Sequence, residues 1–261
     1  MTSQTYSPSH AEPWLAPVAA GPLDAAVELP GSKSLNNREL VLSALADSPT
    51  LLTGTLASRD SSLMMDALRA LGTQIDINTD GSILVTPKPF DRSATIDCGL
   101  AGTVMRFVPP VSVLAKGDVK FDGDEGARRR PMNTTIDSLR ALGTSVADEG
   151  AAALPFTVHG AGKVAGGEIT IDASASSQFV SGLLLAAARY ENGLTLRHEG
   201  EHLPSMPHIE MTLDCLRKRG VKVSTPQSAV WRVEPGAISG GEVHIEPDLS
   251  NAGPFLAAAM V

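Results

Sequence analysis

A short pattern recurs three times in this chain, and it restricts the fold more than any other feature. Leu68-Arg69-Ala70-Leu71-Gly72 precedes Thr73-Gln74-Ile75, and Leu139-Arg140-Ala141-Leu142-Gly143 precedes Thr144-Ser145-Val146. Leu216-Arg217-Lys218-Arg219-Gly220 precedes Val221-Lys222-Val223. Each copy reads as a helix closed by a C′ glycine and followed by a β-branched strand start. The copies lie roughly 70–80 residues apart, the spacing of a repeated structural unit. Ahead of each copy a polar start leads into an apolar helix, over residues 32–46, 100–114 and 174–188. Strand-like runs fill the gaps between helices at 49–56, 118–123 and 193–199. Pairs of them follow the second helices at 74–78 with 82–87, 145–147 with 156–159, and 222–224 with 230–234. Each unit therefore reads strand–helix–strand–helix–strand–strand, and three copies would bury one helix each in a shared centre with sheets outside. Residues 16–29 are expected to form the strand entering the first unit. A fourth helix start stands at Asp248-Leu249-Ser250-Asn251-Ala252, and the apolar run Phe255-Leu256-Ala257-Ala258-Ala259-Met260-Val261 follows. An apolar helix rarely stops uncapped, so the pattern predicts a chain cut inside a fourth unit.

The bulk properties exclude several classes. Of 261 residues 43% are hydrophobic, enough for a large core, but only 4% are aromatic, few for stacking nucleic-acid bases. A net charge of −8 provides no basic field for a phosphate backbone, so local basic clusters point to small anionic ligands instead. Cys98 and Cys215 lack CxxC spacing and read as small buried apolar residues, with neither a disulfide framework nor a metal site implied. No apolar run reaches the ~18 residues of a membrane span, and the polar start lacks a signal-peptide core. Residues 1–14 read as a disordered tail, and the expected location is cytoplasmic.

The chemistry concentrates at the helix starts. In Leu29-Pro30-Gly31-Ser32-Lys33-Ser34-Leu35-Asn36-Asn37-Arg38, Pro30-Gly31 ends an extended run and Ser32 or Ser34 is placed to cap the helix that follows. Leu40, Val41, Leu42, Ala44 and Leu45 supply its buried face. Lys33 and Arg38 then lie at an end that already carries partial positive charge, which is unfavourable unless an anion sits among them. Repetition puts Lys33, Ser34 and Arg38 on one rim with Gly102, Thr103 and Arg106, and with Ser176, Ser177 and Gln178. Glu125-Gly126-Ala127-Arg128-Arg129-Arg130-Pro131 adds a loop in which Arg128 and Arg129 read as solvated and Arg130, pinned by Pro131, as a ligand for carboxylate or phosphate. Pro204-Ser205-Met206-Pro207-His208 adds a hydroxyl on a rigid loop. His198-Glu199-Gly200-Glu201-His202 fits H-E-x-x-H, but that zinc motif needs a helix. Here Leu194-Thr195-Leu196-Arg197 reads as a strand, and Gly200 and Pro204 oppose helix.

Four motifs resemble, in order and spacing, those of the 5-enolpyruvylshikimate-3-phosphate synthase family. They are Pro30-Gly31-Ser32-Lys33-Ser34-x-x-Asn37-Arg38, Ala101-Gly102-Thr103-x-Met105-Arg106, Asp122-Gly123-Asp124 with Arg130-Pro131, and Ser176-Ser177-Gln178-Phe179. The resemblance runs from about Pro30 to the end, with Asp248 in the next motif. It implies an α/β fold, the inside-out α/β barrel of enolpyruvyl transferases, with three repeated βαβαββ units per domain. Residues 29–245 would form one complete domain, with 15–28 and 246–261 parts of a second one only partly present and crossings near 27–29 and 244–246. The implied activity transfers the enolpyruvyl group of phosphoenolpyruvate to the 5-hydroxyl of shikimate 3-phosphate, without cofactor or metal. Lys33 would be catalytic, between both substrates. Ser34 and Arg38 would hold shikimate 3-phosphate, Arg38 at its carboxylate, and Ser176, Ser177 and Ser205 would bind its 3-phosphate. Gln178 would touch both substrates, and Gly102, through its backbone, and Arg130 would bind phosphoenolpyruvate. The only partners implied are these two substrates, with no nucleic acid or membrane, and the complete protein would be a monomer.

The sequence departs from the family pattern in places. The family commonly has Ser or Thr at Asn36 and Asn at Leu100, and often an aromatic or basic residue at His208. Its acid–base carboxylates and several cations lie in the second domain, past Val261. One alternative is therefore a substrate-binding fragment without activity. The other is the sister transferase acting on a nucleotide sugar, which resembles Gly-Ala-Lys-Asn where this chain has Gly31-Ser32-Lys33-Ser34, and which has a reactive cysteine where Arg128 to Arg130 stand.

Overall fold

The computed structural model describes residues 18, 21, 24 and 26–260, so the expected tail at 1–14 lies outside the described residues. The first unit holds α1 (Lys33–Ala44), β1 (Thr50–Thr53), α2 (Arg59–Leu71), β2 (Gln74–Ile77) and β3 (Ile83–Thr86). The second holds β4 (Ala94–Asp97), α3 (Gly102–Ser112), β5 (Lys116–Asp122), a single turn α4 (Glu125–Arg128), α5 (Asn133–Ala141), β6 (Ser145–Ala147) and β7 (Phe156–Ala161). The third holds β8 (Gly167–Ile171), α6 (Gln178–Ala187), β9 (Leu194–His198), α7 (Met206–Lys218), β10 (Val223–Gln227) and β11 (Val230–Val233). After it come β12 (Gly241–His244), a 3₁₀ turn (Leu249–Ala252) and α8 (Gly253–Ala259), none of whose residues is buried. The glycines that end the recurring pattern, Gly72, Gly143 and Gly220, all take positive φ, which is why that position admits so few residues.

Three four-stranded sheets form three walls, ordered β4-β5-β7-β6, β8-β9-β11-β10 and β12-β1-β3-β2. In each the first pair is parallel and the other two antiparallel. The third wall corrects one expectation. Residues 26–30 form no strand, and Gly31 makes a single bridge to Pro247. The edge strand of the first unit is β12, from far along the chain, paired Thr50 to Gly241 through Thr53 to His244. The entering and leaving segments lie side by side: the Ser32 N–H donates to the Glu246 carbonyl at 2.9 Å, and the Asp248 N–H to that of Pro30 at 3.1 Å.

Inside the walls α1, α3 and α6 pack on one another. They are buried all round rather than on one face, from Asn36 to Ala44, Thr103 to Ser112 and Phe179 to Ala187. A helix without a wet side must satisfy its polar groups internally. Asn36 Nδ2 donates to Ser61 Oγ at 3.1 Å, and Asn37 Nδ2 to Thr103 Oγ1 at 2.7 Å. Glu39 accepts from Arg219 Nε at 3.0 Å and Nη2 at 2.7 Å, tying α1 to the end of α7. Pro109 and Pro110 sit inside α3 and remove two helix donors, freeing the carbonyls of Met105 and Arg106. Gly182 of α6 lies directly against the Arg106 carbonyl, where a Cβ would overlap the oxygen.

Candidate functional site

The N-terminal ends of α1, α3 and α6 bring the polar rim together. Ser32 stands at the N-cap of α1, but its side chain makes no capping bond; its carbonyl accepts from the Asn36 N–H at 2.8 Å. Ser34 lies within the first turn and likewise does not cap. The side-chain cap read from these serines is therefore absent; Pro30 to Ser32 is held instead through backbone bonds to the leaving segment.

Arg38 is 2% exposed, in the second turn of α1. Nε donates to Thr212 Oγ1 at 2.7 Å, Nη1 to the Ser34 carbonyl at 2.8 Å, and Nη2 to Ser181 Oγ at 3.2 Å and the His208 carbonyl at 3.0 Å. Its Cζ lies 5.2 Å from the centroid of the Phe107 ring. Four of five N–H groups are thus engaged, leaving one on Nη1 for a ligand rather than a whole fork. Burial lowers its pKa to about 10, so it stays a cation at neutral pH. Burial, followed by the Arg38 charge, lowers the imidazole pKa of His208, against a smaller raising effect of Asp248.

Around Gly102 a second corner forms. A methyl built there would lie 3.0 Å from Gln178 Oε1, 3.3 Å from Arg106 Nη1 and 3.6 Å from Arg130 Nη1. Gly102, Gln178 and Arg130 are therefore one cluster, and Arg106 completes it. Arg106 is 8% exposed, its Cζ is 5.3 Å from the Phe179 ring centroid, and its Nε is buried with no hydrogen-bond partner. Burial first, then the neighbouring Arg130 charge, lower its pKa to about 10. Arg130 is exposed and donates to the Leu100 carbonyl at 3.1 Å. Arg128 is spoken for, bidentate on Asp122 at 2.8 Å, and Arg129 pairs with Glu125 on the surface.

The remaining expected residues sit on the same rim with different attachments. Ser176 Oγ accepts from the Gln178 N–H at 3.2 Å, and Ser177 is the residue before α6. Lys33 is half-exposed and faces Asp60, with Nζ 3.4 Å from Oδ2. Such a surface pair is weak enough for an incoming anion to displace. Ser205 is the last residue of the loop before α7 and its left-handed N-cap, with φ 54°, while Pro207 and His208 are already helical. His198 ends β9 and accepts the Ala173 N–H through Nδ1 at 3.1 Å, so the H-E-x-x-H stretch is not a helix.

Arg106 was the residue to which sequence reasoning gave no role. Its signal was an arginine inside the apolar run Val104 to Val111, one helical turn after Gly102. Ser181 and Thr212, which hold Arg38, carried no signal, since a hydroxyl in a buried helix has many uses.

Two buried guanidinium groups without an ion-pair partner among the described residues lie on a rim of helix N-termini, a concentration of positive charge suited to an anion. The chain's architecture is that of an inside-out α/β domain, with the helices packed inside three outer sheets. The model of the family described as EPSP synthase (3-phosphoshikimate 1-carboxyvinyltransferase) matches residues 18–261. The chain belongs to this family. A 3-phosphoshikimate 1-carboxyvinyltransferase of Kocuria rhizophila is 52% identical over 277 residues, which take in all of this chain and 61% of that protein. Two structures of EPSP synthase from Acinetobacter baumannii share the fold, with TM-score 0.75 over 89% of this chain and 52% of theirs, at 24% identity. The chain thus spans less than two thirds of the length of these relatives. Among the described residues no helix is long and apolar enough to cross a membrane.

Proposed function

We propose that this chain provides the shikimate 3-phosphate-binding part of an enolpyruvyl transferase, with residues 29–245 as its complete domain and 15–28 and 246–261 as parts of a second. In the reaction of the whole protein, the 5-hydroxyl gives up its proton as its oxygen bonds to C2 of phosphoenolpyruvate, and C3 gains a proton. The C2–phosphate bond then breaks, C3 gives up a proton, and 5-enolpyruvylshikimate 3-phosphate and phosphate leave. Ser176, Ser177 and Ser205 take the 3-phosphate, Arg38 the carboxylate through its remaining N–H, and Ser34 the same substrate. Gly102, Arg130 and Gln178, joined by Arg106, form the phosphoenolpyruvate corner, and Lys33 leaves Asp60 to stand between the substrates. Fixed cations facing the departing phosphate stabilise the charge that develops there. The reading places the protein in the cytoplasm, as a monomer when complete, with small molecules as its partners.

One observation carries this reading: Arg38 and Arg106 are buried cations that no carboxylate among the described residues neutralises, an arrangement whose desolvation cost an anionic ligand would offset. Calorimetric titration tests it. The chain should bind shikimate 3-phosphate with a dissociation constant of roughly millimolar order, since an open rim leaves charged hydrogen bonds screened by water. It should bind phosphoenolpyruvate more weakly still and release no phosphate from the pair. Ser176→Ala with Ser177→Ala should abolish the binding and leave the fold intact; unchanged binding would remove the phosphate from this helix start.

A further inference from the structure

We propose that His198 is a positioning residue for the turn that carries Ser176 and Ser177, acting as a neutral imidazole whose Nδ1 accepts the Ala173 N–H. The inference rests on the reading of those serines as phosphate ligands. In the parallel pair of β8 and β9, Ile171 lies opposite His198, where both strands end. Beyond Ile171 the chain turns away from the ladder, and the next amides need other acceptors. The Ser174 N–H finds Asp172 Oδ1 at 2.9 Å, the Ser176 N–H finds the Ala173 carbonyl at 3.0 Å, and the Gln178 N–H finds Ser176 Oγ at 3.2 Å. These bonds shape the turn but do not fasten it to the wall. His198 Nδ1, at the end of β9, does so by accepting from Ala173 at 3.1 Å, while Thr134 Oγ1 of α5 donates to the Asp172 carbonyl at 3.1 Å and ties the turn to that helix.

Ala173 is fully buried, so its amide has no water to fall back on. An Nδ1 that accepts fixes the proton on Nε2, and Nε2 is itself buried without a partner, so the tautomer serves the turn alone. The ring has no slack. Gly200 lies so close that a methyl on it would overlap Ser174 Oγ, Asp172 Oδ1 and the His198 ring. The second residue of the H-x-x-x-H pair, His202, takes no part in this hydrogen bond, so the motif separates into one half-buried acceptor and one exposed residue.

Two variants and two readouts test the assignment. His198→Leu keeps an apolar side chain but offers no acceptor; His198→Asn presents Oδ1 near the position of Nδ1. Exchange of the Ala173 amide should accelerate about tenfold in His198→Leu, the loss of one hydrogen bond, and stay near the parent rate in His198→Asn. Titration with shikimate 3-phosphate should follow the same order, about tenfold weaker for leucine and near parent for asparagine. Unchanged exchange and unchanged binding in His198→Leu would overturn the assignment, and so would an asparagine variant as impaired as the leucine one. Should the parent chain itself fail to bind shikimate 3-phosphate, the reading of the site fails, while the Ala173 exchange rates still decide whether His198 holds the turn.

Discussion

Replacing Arg219 by methionine should cost more than any surface change in this protein. Arg219 and Glu39 are each 2% exposed, so the pair is out of water. Besides its two bonds to Glu39, Arg219 donates to Thr50 Oγ1 at 3.0 Å, the Ser239 carbonyl at 2.9 Å and Ser43 Oγ at 2.9 Å. All five N–H groups are used. Methionine keeps the apolar stem but strands a carboxylate in a dry site, a loss of about 3–5 kcal/mol. Against a total stability of roughly 5–15 kcal/mol this is a large fraction. At ~2–4 °C per kcal/mol for a domain of this size, the melting midpoint should fall by about 6–20 °C. Urea unfolding followed by circular dichroism measures the loss. The double variant Glu39→Met with Arg219→Met removes both charges and should recover more than half of it. Because Thr50 begins β1 and Ser239 precedes β12, the amides of Gly241 to His244 should lose exchange protection first. A single variant costing under ~1 kcal/mol, or a double variant no better than the single, would refute the view that an uncompensated charge is what hurts.

Gly102→Ala should leave the fold standing, since alanine suits a helix start, yet its methyl would press on Gln178 and Arg106; phosphoenolpyruvate should then no longer shift the amide resonances of Gly102's neighbours, and equal shifts in parent and variant would take residue 102 out of the pocket. Gly182→Ala should separate α3 from α6 at the Arg106 carbonyl, at about 1–3 kcal/mol or more, visible as a lower urea midpoint. The Asp148 carboxyl is held below its usual value of 3.8 first by its bond to Arg140, and by the Gly150 and Ala152 amides. Its contribution is therefore complete above that pH and lost as pH falls through the lower folded value; Asp148→Asn should flatten the acid end of the stability profile, and an unchanged acid limb would count against it.

The local grammar of the chain was legible. The inner helices, and the strand pairs after each outer helix, follow from polar starts, apolar runs and terminal glycines, because those signals act within a few residues. The wall of the first unit was not, because the partner of β1 is a distant strand and nothing in residues 26–29 says that they will form no strand. The corner at Gly102 was implied only by the family resemblance, and the all-round burial of α1 by nothing local: Asn36, Asn37, Arg38, Glu39 and Ser43 look like a wet face until their partners arrive from α2, α3, α6 and α7. Lys33 illustrates the same limit, since its contact with Asp60 depends on how α1 and α2 cross.

The pairing of β1 with β12 also sets a timetable. Thr53 and His244 are 191 residues apart, while the sheets of the second and third units close within their own stretches of chain. Bringing such distant segments together carries a closure entropy that local hairpins escape. During synthesis the second and third walls have all their strands before the first does, and α1, the earliest helix among the described residues, must wait for β12. Pulsed exchange labelling during refolding should therefore find the amides of β1 and β12 protected last, and the helix that carries Lys33 and Arg38 settled only when the ring closes.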